Sequence, residues 1–298
     1  MAFRSAFTSA FTAAFRPAYG RAGGSVPFFD VAPNAAAGYS LRDLVSLSGD
    51  TTVVRVRRSS DNAEADFKAN EVSTIAAWVG AGNDGFVSVW YDQTGTTINN
   101  MFQSSLASQP KIVLNGTYLE EVDFLNGTNT YLQTTNSNLA NLPALSIFSV
   151  LEGVVASINE FAASAGSIVN STGNYGGWAI WANGYTNSLG LATQARYSGN
   201  NTVARATITS AHTVYSATLN GTAGQASANG VLGSPITNMI TPNNTDGTRR
   251  RLRLGCQYTF TPASFYRGSM KEFILYTSDQ SANRTALEDN MNKAYNLY

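Results

Sequence analysis

His212 and Cys256 are the only histidine and the only cysteine in 298 residues. A serine–histidine or cysteine–histidine nucleophilic pair therefore has one imidazole to draw on, and a zinc site built on several thiolates has no ligands. Acid–base work falls to carboxylates, which gather in three places. Asp92 lies in VWYDQTG (89–95), Glu120, Glu121 and Asp123 follow the Asn115-Gly116 pair, and Asp61, Glu64 and Asp66 sit in RRSSDNAEADF (57–67). The last group offers oxygens to Ca2+, but it lacks the alternating spacing of a calcium loop. Arg55, Arg57 and Arg58 are close by, so local ion pairs are the expectation there. Asp92 fits a strand ending in an Asx turn, and acids beside an Asn-Gly hairpin are ordinarily solvated. Neither group is assigned catalysis. His212 reads as a polar residue at a strand start, and Cys256 as a small buried hydrophobe.

Aromatic residues form two further candidate sites. MAFRSAFTSAFTAAFRPAYG (1–20) places Phe3, Phe7, Phe11, Phe15 and Tyr19 four apart. That spacing gives one apolar edge whether the backbone is helix or strand, and an isolated edge is marginal in water without a partner. Ser5, Thr8, Ser9 and Thr12 break every apolar run, unlike a secretory signal. The segment reads as an anchoring arm. In GWAIWA (177–182), strand parity puts Trp178 and Ile180 toward a core and Trp181 on the other face with Ala179. Trp181 and Tyr185 then offer an aromatic platform to a sugar.

The elements that must position these residues are mostly strands. VVRVRR (53–58), GFVSVWY (85–91), LSIFSVL (145–151), GWAIWA, HTVYSATL (212–219), RLRLGC (251–256) and MKEFILY (270–276) alternate with turn signals. Asn-Gly pairs at 115, 126, 220 and 229 favour tight hairpins. They also explain the glycosylation-like sequons at Asn115, Asn126, Asn170 and Asn220 as turn chemistry. Residues 69–80 and 281–298 are the helical candidates, the second with Ser281 as N-cap. Net charge is zero, with 19 basic and 19 acidic residues, so no global field draws the chain to nucleic acid. The run Arg249, Arg250, Arg251 and Arg253 reads as a solvated strand face, with Leu252 and Leu254 toward the core. No run of apolar residues is long enough to span a membrane. Residues 1–25 form the arm and 26–298 one large domain.

Two families resemble parts of the chain. LRLGCQ (252–257) followed by FYRGSMKEFILYTSD (265–279) looks like the closing strands of a concanavalin A-like, laminin-G-like jelly roll, in which Gly268 allows a close turn and Met270, Phe273 and Ile274 or Leu275 pack the faces. GYSLRDLV (38–45), VVRVRRSSDNAEADF (53–67) and VWYDQTG resemble a module of tailed-phage virion proteins and of the arabinofuranosidase B catalytic domain. The ending SDQSANRTALEDNMNKAYNLY (278–298) and the arm are closer to the phage proteins. The arabinofuranosidases carry several disulfides that one cysteine cannot form, and neither of their catalytic carboxyls falls on a matching motif here.

The resemblance implies an all-β sandwich with an N-terminal arm and a short C-terminal helix. It implies a structural virion protein without enzyme activity, a capsid decoration or short tail appendage. Such a protein would be held to other virion proteins by its arm, act as a homo-oligomer in the particle, and display the jelly roll toward host surface polysaccharide. Two other classes stand beside it: an arabinofuranosidase-like glycoside hydrolase, and a tail-fibre receptor-binding protein.

Overall fold

The computed structural model describes residues 26–124, 129–135, 139, 142, 144–152, 160–166, 177–182, 190–197, 200–207, 212–237, 251–257, 262 and 264–298. Its first strands are β1 (Ala37–Ser40), β2 (Thr52–Arg58), β3 (Glu64–Lys68), β4 (Gly85–Trp90), β5 (Met101–Phe102) and β6 (Lys111–Leu114). Next come β7 (Thr117–Asp123), β8 (Leu132–Gln133), β9 (Ala144–Glu152), β10 (Glu160–Gly166), β11 (Gly177–Ala182) and β12 (Gly190–Tyr197). The chain closes with β13 (Asn200–Thr207), β14 (His212–Asn220), β15 (Ala223–Ala228), β16 (Val231–Leu232), β17 (Leu252–Leu254) and β18 (Ser269–Tyr276). The helices are α1 (Phe28–Val31), α2 (Ile75–Val79) and α3 (Arg284–Tyr295).

All named pairings are antiparallel, and they make two layers. One runs β1-β18-β9-β14-β15-β16. The other runs β3-β2-β4-β5-β8-β17-β10-β11-β12-β13. β6 pairs with β4 and β7, and β7 crosses to the start of β18, which joins the layers at one rim. The expected sandwich is therefore present. Rings from both layers meet inside it. Trp178 of β11 stacks on Phe273 of β18 at 6.4 Å and 8°, and Tyr39 of β1 lies 5.9 Å from Trp90 of β4.

Alternation along the central strands explains why both of their faces are apolar. In β9, Leu145, Ile147 and Leu151 enter the core between the layers, while Phe148 and Val150 face outward. β18 does the same with Phe273 and Leu275 inward and Ile274 and Tyr276 outward; a bulge between Met270 and Glu272 resets its parity. The outward residues are covered by Leu287 and Met291 of α3 and by Phe28 of α1. Burial on both faces is what an unbroken hydrophobic strand requires.

Several local expectations hold. Trp178 and Ile180 are fully buried, and the Trp178 indole donates to the Leu139 carbonyl at 2.7 Å. Leu252 and Leu254 are core, but Arg253, expected on a solvated face, is buried against Gln133 and the Tyr131 ring, while Arg249 and Arg250 lie outside the described residues. Asn229 and Gly230 both take positive φ, as a two-residue hairpin of this kind needs. Gly268 is required by contact, because a Cβ there would lie 2.5 Å from the Tyr266 ring. Two further expectations change. The helix begins at Arg284 with Asn283 before it and no side-chain cap, so Ser281 is not the N-cap. The 69–80 segment shortens to a 3-10 turn, Val72–Thr74, running into α2 and ending at Gly80, whose φ is +90°.

Candidate functional site

The motifs that carried the family resemblance are joined to one another. Asp92 accepts the Gly38 N–H at 2.8 Å, and the Gln93 N–H donates to the Gly38 carbonyl at 2.9 Å. The Gln93 amide accepts from Leu44 N–H and donates to the carbonyls of Ser40 and Arg42. VWYDQTG thus holds GYSLRDLV, and Asp92 is a bracket for a buried loop. Burial raises its pKa, an effect that the Thr94 and Gly38 hydrogen bonds only partly offset. The third motif is likewise structural. Arg55 pairs with Asp66, Arg58 with Asp61, and Arg57 donates to Gln109 and Asn62. The ion pairs expected at that loop are the ones observed. Among the described residues, no three His, Cys, Asp or Glu side chains are grouped as a metal site.

Ionisable side chains converge instead at the rim where β7 crosses to β18. β7 carries three more residues than β6 between their paired positions, Lys111↔Asp123 and Val113↔Tyr118. Glu120 takes a φ of +62° within that bulge, a conformation that a non-glycine residue adopts at a cost. The bulge carries Glu121 out to its neighbours. Its carboxylate lies 2.7 Å from His212 Nε2 at the head of β14 and 3.3 Å from Lys271 Nζ of β18. Burial works against the Glu121 charge, but the His212 hydrogen bond and the Lys271 ammonium outweigh it and hold the carboxyl below its usual range.

Tyr266 stands beside this pair. Its hydroxyl donates to the Glu152 carbonyl and lies 3.1 Å from the Ser269 carbonyl. Burial raises the phenol well above its ordinary pKa, and the negative charges of Glu152, Glu121, Glu160 and Asp123 raise it further. Those four acids therefore share one electrostatic neighbourhood. Glu160, the first residue of β10, differs from the rest. It is fully buried; one oxygen accepts the Arg267 N–H at 3.0 Å, and the other has no hydrogen-bond partner among the described residues. The Arg267 guanidinium reaches only to 3.8 Å of that second oxygen and is 60% exposed. Burial pushes the Glu160 carboxyl up, and the Arg267 contacts offset this only in part.

A serine–histidine relay is not what the rim contains. His212 meets Glu121 and Ser269 through the same nitrogen, Nε2, at 2.7 and 3.4 Å. A relay needs the acid on one ring nitrogen and the hydroxyl on the other. What the rim does contain is two glutamates with opposed tendencies, one toward the neutral acid and one toward the carboxylate.

Residues named from the sequence are distributed unevenly over this picture. Glu121, Asp123 and His212 belong to the rim, where acids expected to be solvated are instead paired or buried. Glu152, Glu160, Tyr266 and Arg267 were not singled out, because no local pattern marks them. Cys256 is buried as expected, and burial pushes its thiol up to about 12. Phe3, Phe7, Phe11, Phe15, Tyr19 and Tyr185 lie outside the described residues, and of Trp181 only the backbone is described, in β11.

No family model matches the chain, and no curated protein matches it. Among solved structures it is similar to an arabinofuranosidase complexed with arabinofuranosyl-α-1,2-xylobiose, at 14% identity and a TM-score of 0.63, covering 91% of this chain and 65% of that one. A point variant of a GH54 α-L-arabinofuranosidase soaked with 4-nitrophenyl α-L-arabinofuranoside gives 15%, 0.64, 91% and 65%. A GH54 α-L-arabinofuranosidase soaked with a cyclic sulfate inhibitor gives 13% and 0.63 with the same coverage. The chain spans 65% of the length of these structures, and the likeness is one of fold.

This likeness corrects the expectation of a protein without enzyme activity. The architecture shared over 91% of the chain is that of enzymes named for cleaving arabinofuranosides. One cysteine excludes the disulfides of that family but not its fold, since a chain of this size buries enough surface to need no cross-links.

Proposed function

We propose that this sandwich is a glycoside hydrolase acting on arabinofuranoside-type sugars at the rim around Tyr266. The observation that carries the proposal is the opposed pair of Glu160 and Glu121 on one rim of a fold shared with arabinofuranosidases. Glycoside cleavage uses one carboxylic acid to protonate the leaving oxygen and one carboxylate to act as base or nucleophile. Two glutamates whose surroundings push their pKa values apart supply those roles at one pH. Glu160 is the acid, with an oxygen that accepts no hydrogen bond among the described residues; Glu121 is the carboxylate. Arg267 holds Glu160 through its backbone N–H, and its exposed side chain is the group that a sugar displaces on entry.

We further infer that residues 1–25 attach the domain to a larger assembly, for which the aromatic spacing at Phe3, Phe7, Phe11 and Phe15 and the resemblance to phage virion proteins are the support. A particle-borne enzyme of this kind acts on the polysaccharide at a host surface.

The test is release of 4-nitrophenol from 4-nitrophenyl α-L-arabinofuranoside. The unmodified protein turns it over, and on arabinofuranosyl-α-1,2-xylobiose, whose sugar leaving group must be protonated, Glu160→Gln loses about 10²–10⁴-fold, the usual contribution of a positioned general acid. Background release by the unmodified protein from this substrate and from a panel of aryl glycosides would refute the proposal.

A further inference from the structure

We propose that His212 and Lys271 are positioning residues that, with the β7 bulge, fix Glu121 as a carboxylate facing the site. The inference rests on the hydrolase proposal for its consequence, but its geometry stands independently. The bulge moves Glu121 out of the ladder between β6 and β7 and delivers it to two other strands. There it receives a hydrogen bond from β14 through His212 and a charge from β18 through Lys271. Lys271 also donates to the Glu120 carbonyl at 3.3 Å, so one ammonium holds both the turned backbone and the side chain that the turn re-aims. A residue with φ of +62° has no local reason to keep that conformation, and the ammonium supplies a long-range one.

The groups facing Glu121 come from every neighbouring strand. β14 contributes His212 and β18 contributes Lys271 and Ser269, whose hydroxyl also donates to Glu152 of β9 at 3.3 Å. Asp123 follows two residues later on β7 itself. Burial disfavours the Glu121 charge; His212 and Lys271 oppose it. Of these two, His212 supplies the hydrogen bond and Lys271 the stronger charge attraction. Removal of the ammonium therefore lets burial push the Glu121 carboxyl upward.

The experiment reads Glu121 directly. The full chain, labelled with 13C at glutamate side-chain carboxyls, is titrated by NMR as the unmodified protein, Lys271→Met and Lys271→Arg, with Glu121→Gln assigning the resonance. Methionine keeps the apolar stem of a side chain that is only 16% exposed, and a near-ultraviolet spectrum confirms tertiary packing in each form. The Glu121 midpoint rises by about one pH unit in Lys271→Met, the low end for loss of a close opposite charge, and returns in Lys271→Arg. The acid limb of kcat/KM for 4-nitrophenyl α-L-arabinofuranoside moves by the same amount, with KM little changed. An unmoved Glu121 midpoint in a folded Lys271→Met would overturn the inference. A midpoint that moves in a protein releasing no 4-nitrophenol supports the positioning roles and removes the hydrolase proposal, so the two failures are distinguishable.

Discussion

Arg42→Met tests how α3 is held to the sandwich. The Glu272 carboxylate on β18 is fully buried and engages four donors: Arg42 Nε at 2.7 Å, Arg42 Nη2 at 2.8 Å, Ser40 Oγ at 2.9 Å and the Tyr295 hydroxyl at 2.9 Å. Arg42 also donates to Asn290 of α3 at 2.9 Å, so the guanidinium ties strand and helix together. Methionine removes half of the carboxylate's hydrogen bonds and all of its countercharge, while filling much of the same volume. Breaking a buried pair from one side costs about 3–5 kcal/mol, because the remaining charge has nowhere to go. Arg42 keeps 25% of its side chain in solvent, which places the expected loss near the lower end, about 3 kcal/mol. For a chain of this size that lowers Tm by about 5 °C. Urea unfolding of Arg42→Met, Glu272→Leu and the double variant provides a thermodynamic cycle. The double variant is expected to be more stable than either single one, since an apolar pair of similar volume carries no desolvation cost. A loss below about 1 kcal/mol in Arg42→Met would show an ordinary surface pair and refute the reasoning.

Other outcomes follow from the same structure. Trp178→Ala empties a fully buried site and removes the Leu139 hydrogen bond, so urea unfolding should show a loss of about 3–5 kcal/mol; less than 1 would deny the indole its place in the core. Glu160 has a folded pKa above its unfolded value, so the folded form keeps a proton that the unfolded form has lost. Stability therefore falls as pH rises through the interval just above the ordinary glutamate value of about 4.3. Glu160→Gln should remove that part of the slope when urea midpoints are compared across pH, and an unchanged slope would place the raised carboxyl elsewhere. Deletion of residues 1–24 should leave a folded sandwich that no longer joins its assembly, with incorporation at normal copy number as the contrary result.

The sequence was readable wherever neighbouring residues decide the outcome. Strand parity placed Trp178, Leu252 and Leu254 in the core, and the Asn-Gly pair at 229 dictated its hairpin. Gly268 was readable as a close approach, although the Tyr266 ring that demands it was not. The rim was hidden because its members come from far-separated strands. Glu121 and His212 are 91 positions apart, Arg267 and Glu160 are 107, and nothing local marks any of them as partners. The most recognisable motifs proved structural, as their residues suggested. Asp92 and Gln93 sit in the stretch with the strongest resemblance, yet their hydrogen bonds are used to hold the 38–44 loop. Recognisability in that case reflects a demanding piece of backbone rather than chemistry.

Helix α3 holds more than its own packing face. Asn290 donates to the carbonyl of Val26, where the described chain begins, and Asn292 accepts the N–H groups of Leu297 and Tyr298, where it ends. Two segments far apart in the sequence thus meet on one short element. Fraying of α3 would therefore free the backbone at Val26 and the last two residues together, so the two segments gain or lose order as one unit.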